Sequence, residues 1–385
     1  MKVGIFTDND FEKVNGVTTT LRAVLEHAPR DISVRVYTCA SKAVESDDYL
    51  ALRSPGVGIP YYPEMTVHWA PVAHLLRRAS ADRLDVIHVT TPGPVGLAAL
   101  WIARRLSLPM IGSFHTQLAE YAATLSGSPL LGRVMREYLR WMYGHCRSIL
   151  VPSEDTRALL LAGGLAGRRV TIWGRGVSTR RFDPARRSID LRRRWLLSDE
   201  RPGVLYAGRL SREKGLGDLV AVQASLTASR LPHRFIFVGD GPMRAELESS
   251  FPDAIFTGTL PPDGVAVTMA SADLFAFPSR TDTAGNVVLE AQASGLPVLV
   301  SDEGGPKEYI RPGESGFVCA SAGDLCDRAI ELCGHRALRV RIGDMARQHA
   351  LTRSWAAALE PLFQAYRDAV LEPPSRRSQA NGVAA

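Results

Sequence analysis

Residues 203–220 read GVLYAGRLSREKGLGDLV. An apolar run of strand length ends at a glycine. A short basic loop follows, and the chain then resumes with helical spacing. This is one half of a βαβ unit. Its position decides the fold, because a series of such units has already run once upstream. KVGIFT (2–7), ISVRVYT (32–38), DVIHV (85–89), PMIGSF (109–114) and SILVPS (148–153) read as buried strands. GVTTTLRAVLEHA and PVGLAALWIARRL, lying among them, have helical periodicity. From residue 203 the series restarts with GVLYAG (203–208), RFIFVG (234–239), AIFTG (254–258), LFAFPS (274–279) and LPVLVS (296–301). Two series of parallel βαβ units predict an α/β protein with two doubly wound sheets.

The stretch GRGVSTRRFDPARRS (174–188), rich in Gly, Arg and turn formers, reads as the linker. The expected organisation is a Rossmann-like domain over 1–175 and a second over 176–353. An amphipathic helix, SWAAALEPLFQAYRDAVL (354–371), then packs back toward the first domain. The tail over 372–385 lacks apolar periodicity and is expected to be disordered.

Composition narrows the function classes. The 385 residues are 45% apolar and 22% charged, as in a soluble globular protein with room for two cores. No run of about 18 apolar residues predicts a membrane span. MKVGIFTDND enters a strand directly, without the basic and apolar regions of a signal peptide. The five cysteines are scattered, and Cys326 and Cys333 form no tight pair. Packed thiols in a reducing cytoplasm fit them better than disulfides or a metal site. The net charge is +6, and residues 1–175 hold 20 basic against 15 acidic side chains. That excess suits an anionic substrate or a lipid surface; with no basic recognition helix, nucleic acid is not an expected partner. In SPLLGRVMREYLRWMYGHCRS (128–148), Arg133, Arg136 and Arg140 recur at helical spacing beside Trp141 and Tyr143. Such a helix can lie on an anionic bilayer, or present a solvated basic face over a packed one. HLLRRASADR (74–83) is a second basic patch.

Ligands of open α/β sheets bind beyond the carboxyl ends of the strands, so the site is expected in the cleft between the two domains. RTDTAGNVVLEAQASG (280–295) is the most informative loop. A helix beginning near Asn286 offers backbone N–H groups and a positive dipole end, with Gly285 allowing close approach of an anion. Glu290 lies about one turn inside and Asp282 just before. Each carboxylate can accept hydrogen bonds from paired hydroxyls, so the two acids could read polyols at both ends of a diphosphate. In the simpler alternative, Asp282 caps a turn and Glu290 complements the dipole. Arg209 and Lys214 sit on the loop of residues 208–215, where a guanidinium and an ammonium together make a good diphosphate clamp. No G-x-x-x-x-G-K-[ST] loop is present, nor a G-x-G-x-x-G after the first strand.

GRLSREKG, FVGDGPMRAELE, FTGTL and FPSRTDTAGNVVLEAQASGLPVLVSDEGGPKEYI together resemble the retaining glycosyltransferases of family four, which have the GT-B fold. The Asp282-x7-Glu290 pair is similar to that family's carboxylate pair, although the family usually has Glu at the first position. The resemblance covers nearly the whole chain and is more specific in the C-terminal half. It implies that Arg209 and Lys214 bind the donor diphosphate, Glu290 the ribose and Asp282 the donor sugar. The backbone around Asn286, Val287 and Val288 would touch phosphate and sugar. The loop from Thr257 and Gly258 to Leu260 would border the base.

In the N-terminal half, FTDNDFEKVNGVTTTL (6–21) resembles the family's acceptor-side loop. Asn15 and Gly16 would open the first helix, with Gly16 admitting the diphosphate and acceptor. Asp8 would reach an acceptor hydroxyl or cap that loop. GSFHTQLAEY (112–121) would set His115 against the donor sugar. The implied chemistry is front-face transfer with retention, needing no metal or cofactor, in which the leaving diphosphate oxygen takes the acceptor proton. His115, Arg209, Lys214 and Asp282 would carry it. SFHTQLAEY, TDTAGNVVLEAQASGLPV and GGPKE look most like the GDP-mannose-dependent α-mannosyltransferases and related glycolipid synthases. GDP-mannose is thus the first expected donor and a UDP-sugar the second. The expected acceptor is a lipid or glycan, met in the cytoplasm or at the inner face of its membrane. A non-catalytic nucleotide-sugar binder and a sugar-nucleotide epimerase are the rival classes.

Overall fold

The computed structural model describes residues 1–11, 15–59, 62–115, 117–165, 167 and 169–371. The chain divides into two units, Met1–Gly174 with the C-terminal segment from Leu359, and Arg175–Ala358. The tail over 372–385 lies outside the described residues, as do residues 12–14 of the acceptor-side loop.

In the first unit the strands are β1 (Lys2–Phe6), β2 (Ser33–Ala40), β3 (Val44–Glu45), β4 (Tyr49–Arg53), β5 (Gly56–Ile59), β6 (Tyr62–His68), β7 (Val86–Val89), β8 (Met110–Ser113), β9 (Ser148–Val151) and β10 (Arg169–Ile172). Among the described residues one sheet has the order β10-β9-β8-β7-β1-β2-β4-β3, and β5 and β6 form a separate antiparallel pair. Only β3 runs antiparallel in that sheet, against β4. The register sets Val3 beside Val34 and Val86, and Ile111 beside Ser148. Helices cover a parallel sheet on both faces, so its strands must be apolar throughout. Val3, Ile5, Ile87, Ile111 and Ile149 are accordingly fully buried. His88, in the middle of β7, is one of the polar exceptions, with Thr38 on β2 and Ser113 on β8, and all three are fully buried.

The second unit holds β11 (Gly203–Ala207), β12 (Arg234–Val238), β13 (Ile255–Gly258), β14 (Leu274–Phe277), β15 (Val298–Ser301) and β16 (Gly316–Cys319). Their order is β13-β12-β11-β14-β15-β16, all parallel. Numbered from the first strand of the unit this is 3-2-1-4-5-6, the doubly wound dinucleotide-binding order. Successive strands add on one side of β11 and then on the other. The loops leaving β11 and β14 therefore part at a topological switch point, where the fold makes a crevice. Aromatic rings fill the core beneath: Phe237 stacks on Phe256 at 4.9 Å, and Tyr206 on Phe277 at 6.0 Å.

The expected linker is shorter than its composition suggests. The unit break falls between Gly174 and Arg175, and the residues after it are built into the second unit. Val177 donates its N–H to the Arg353 carbonyl at 2.9 Å, and Phe182 is buried in the core. Among its basic residues, Arg186 binds a carboxylate and Arg187 binds a carboxylate and two carbonyls. Arg187 meets Asp273 at 2.7 Å. The closing helix Trp355–Leu371 belongs to the first unit from Leu359 onward, where Leu359, Leu362 and Tyr366 are fully buried. Arg147 Nη1 donates to the Ala369 carbonyl at 2.9 Å, and Arg169 pairs with Asp368 at 2.8 Å. All five cysteines are buried, and no disulfide joins any two of them. No helix among the described residues is long and apolar enough to cross a membrane.

Candidate functional site

The second unit's site grows from the switch point. After β11 the chain runs through Arg209 into a short 3-10 turn, Arg212–Lys214, closed by Gly215 at φ +69°. A Cβ on Gly215 would stand 2.7 Å from the Pro278 carbonyl oxygen, so only glycine lets this turn lie against the loop leaving β14. Lys214 Nζ lies 2.9 Å from each carboxylate oxygen of Asp282. The side chains are 12% and 21% exposed, so the pair is largely withdrawn from water.

Two further bonds lace the same loops. Thr281 Oγ1 donates to the Glu213 carbonyl at 3.1 Å, and Arg280 Nη2 to Asp218 Oδ2 at 2.8 Å. A third loop, after β15, pins the Asp282 carbonyl through the Gly305 N–H at 2.9 Å. Arg209 is half-buried on the loop that also carries Lys214, and its carbonyl accepts from Tyr206 Oη at 2.8 Å.

Gly285 is the N-cap of helix Asn286–Ala293 at φ +68°, a left-handed conformation that a side chain would strain. Val288 is fully buried, and its N–H is donated to the Gly285 carbonyl at 2.9 Å. Val288 thus fixes the helix start. Asn286 and Val287 are half-buried at the positive end of the dipole. Glu290, half-buried on the same helix, has its pKa pushed up to about 7 by burial, against a smaller opposing effect of the Arg181 charge. At the sheet edge, Thr257 and Gly258 end β13, and Thr257 Oγ1 lies 2.9 Å from the Gly258 carbonyl. Leu260 packs against the core and is half-buried.

In the first unit Asp8 follows β1 and serves as a cap. Thr91 Oγ1 donates to its Oδ2 at 2.6 Å, and the N–H groups of Gly93 and Val95 donate at 3.1 and 2.8 Å. The carboxylate thus holds the start of helix Pro94–Leu106, the capping alternative rather than an outward-reaching one. It caps a different helix from the loop foreseen. Burial raises its pKa, against those hydrogen bonds. Asn15 N-caps helix Gly16–Glu26, accepting from Val17 and Thr18 in a capping box. Among the described residues, nothing lies within 4 Å of a Cβ built on Gly16. His115 follows β8, with Nε2 2.8 Å from Ser113 Oγ.

The structure thus brings Lys214 and Asp282 together, with Arg209 on the same loop as Lys214, and ties Asp8 and Asn15 into helix caps. Arg280, Asp218, Thr281 and Glu213 brace the site and were missed. So was His88, although a histidine inside an apolar parallel strand signals a polar group that must find partners.

The family description "Glycosyl transferases group 1" matches residues 201–335, and "Glycosyltransferase Family 4" matches residues 14–181. A GDP-mannose-dependent alpha-mannosyltransferase of Mycobacterium tuberculosis is 32% identical, over 95% of this chain and 96% of its own. A sulfoquinovosyl transferase of Arabidopsis thaliana is 34% identical, over 78% of this chain and 59% of its own. Among solved structures, the sucrose-phosphate synthase of Thermosynechococcus elongatus superposes with a TM-score of 0.76 at 19% identity, covering 95% of this chain and 98% of that one. With relatives of this identity along almost its full length, the chain belongs to the family-four glycosyltransferases of the GT-B fold.

Proposed function

We propose that this glycosyltransferase moves mannose from GDP-mannose to a hydroxyl of a lipid or glycan acceptor, with retention and an α linkage. The observation that carries the reading is the full-length similarity to a GDP-mannose-dependent alpha-mannosyltransferase. The Lys214–Asp282 pair at the switch point supports it. In this reading Arg209 and Lys214 take the diphosphate and neutralise it as the C1–O bond loosens. Asp282 turns from its ammonium partner to the hydroxyls of the donor sugar. Glu290 accepts from the ribose, Thr257 to Leu260 border the base, and the Asn286 helix start faces the phosphates. His115 contacts the sugar, and Asn15 and Gly16 lie on the acceptor side. The leaving oxygen takes the acceptor proton, so the chain supplies position and charge rather than a strong base or a metal.

The acceptor side includes helix Pro129–Tyr143, where Leu130, Val134 and Trp141 are exposed beside Arg133, Arg136 and Arg140. Arg136 pairs with Glu120 at 3.6 Å and Arg140 with Glu137. An apolar stripe edged by arginines favours peripheral contact with an anionic bilayer. A UDP-sugar-dependent glycolipid synthase is the second reading, favoured by the similarity to the sulfoquinovosyl transferase.

The test is incubation with GDP-mannose and a lipid extract in the presence of a chelator, followed by NMR of the product's anomeric centre. An α-mannoside supports the reading and a β-mannoside overturns it. Donor alone separates the rival classes: an epimerase returns a changed sugar, and a binder returns the donor intact with or without acceptor.

A further inference from the structure

One buried hydrogen-bond chain lies behind His115. His88 on β7 has Nδ1 2.7 Å from Tyr366 Oη and Nε2 2.9 Å from Ser113 Oγ. Ser113, the last residue of β8, stands 2.8 Å from His115 Nε2. Tyr366, His88 and Ser113 are all fully buried. Trp173, also fully buried, sets its ring edge-on to both imidazoles, at 6.4 Å from His88 and 5.6 Å from His115. The indole limits rotation of either ring.

The chain has one direction. Burial raises the Tyr366 pKa well above 10, so its phenol keeps the proton. Among the described residues, His88 Nδ1 is the hydrogen-bond partner of that phenol. If His88 donated from Nδ1, the phenolic hydrogen would be buried with no acceptor, which proteins avoid. Tyr366 therefore donates and Nδ1 accepts. Burial lowers the His88 pKa to about 3, so the ring is neutral and has a single N–H. That N–H is then on Nε2 and donates to Ser113 Oγ. The serine's one hydrogen is left for His115 Nε2.

We infer that Tyr366, His88 and Ser113 are positioning residues that fix His115 as its neutral Nδ1–H tautomer. Its Nε2 is occupied as an acceptor, so the ring's one N–H is at Nδ1. Such a ring donates rather than accepts at Nδ1 and is ill-suited to taking a proton as a base. The C-terminal helix sets this polarity from 251 residues away in the chain. The assignment of His115 to the donor sugar rests on the proposed function; its tautomer does not.

The test is nitrogen NMR of the full chain carrying 15N-histidine, with His115 assigned from a His115→Asn variant. The expected result is a protonated-type Nδ1 and an unprotonated-type Nε2 in the parent protein. A proton on Nε2 overturns the inference, whatever the activity. Tyr366→Phe removes the terminal donor and should move His115 toward a mixture of tautomers, while Ser113→Ala should release Nε2. If Tyr366→Phe folds and leaves the His115 shifts unchanged, the helix does not set the polarity and the inference fails. Turnover is read separately. If the tautomer is as stated but His115→Asn transfers mannose at the parent rate, the functional reading of His115 fails and the tautomer assignment stands.

Discussion

Lys214 and Asp282, 68 residues apart, hold each other through two 2.9 Å contacts at the ends of neighbouring strands. The cation proposed for the diphosphate is thus already neutralised by the acid proposed for the sugar. A diphosphate entering this site competes with Asp282 for Lys214. Asp282→Asn keeps the side chain's shape and removes the competitor. We expect GDP to bind more tightly to that variant, by about 1 kcal/mol or roughly fivefold. Mannosyl transfer should fall by about tenfold or more, because a hydroxyl acceptor has been weakened. Calorimetric titration with GDP and initial rates check the two arms; weaker GDP binding would show that Lys214 is not the phosphate ligand.

Glu290 gives the second unit a pH dependence. Its pKa stands near 7, against an ordinary 4.5, because the ionised form is desolvated. Between these values the folded chain holds a proton that the unfolded chain has lost. The second unit's stability from this group is therefore greatest below pH 4.5 and declines as pH rises through 7. Glu290→Gln should melt higher than the parent at pH 8 and at the same temperature near pH 4.5, in thermal scans. On the proposed role of this carboxylate in holding the ribose, donor affinity should rise through pH 7 in the parent and stay flat in Glu290→Gln.

His88 acts in the opposite sense in the first unit. Burial lowers its pKa to about 3, so it stays neutral where an unfolded histidine would take a proton. Its contribution is complete above pH 6.5 and is lost as pH falls toward 3. Acidification from pH 7.5 to 5 should weaken hydrogen-exchange protection of β7 and β8 while Glu290 favours the second unit. The same loss of protection in His88→Gln would contradict this assignment.

The arginine face of helix Pro129–Tyr143 is tested on vesicles. Reversing Arg133, Arg136 and Arg140 to Glu should remove about 1 kcal/mol per lost cation on an anionic bilayer, or at least roughly 100-fold in binding overall. Trp141→Ala should weaken cosedimentation with neutral and anionic vesicles alike. Equal binding by parent and triple variant at low salt would remove the membrane from the proposal.

The fold was legible where burial forces long apolar runs. Each of the ten strands read from sequence is present, because a parallel sheet covered on both faces is built mostly from apolar residues. β3, β4, β5, β6, β10 and β16 were not read, because their residues mix polar, Gly or Pro positions into the run, as in GVGI and YPEMTVH, and leave no long continuous apolar stretch. The C-terminal helix was read as amphipathic, but not the Tyr366–His88 bond, which joins residues 278 apart. The acids and cations near 209–214 and 282–290 were visible as types in a loop. Which of them meet was not, since it depends on β11 and β14 being neighbours.

The most direct test is a melting panel with GDP-mannose, UDP-glucose and ADP-glucose, run on the parent and on Arg209→Ala combined with Lys214→Ala. A donor at 100 times its dissociation constant stabilises the bound state by about 2.7 kcal/mol. We predict that GDP-mannose alone raises the parent's melting temperature and that the double variant loses the shift. A shift with UDP-glucose and none with GDP-mannose, or a double variant that keeps the full shift, would contradict it.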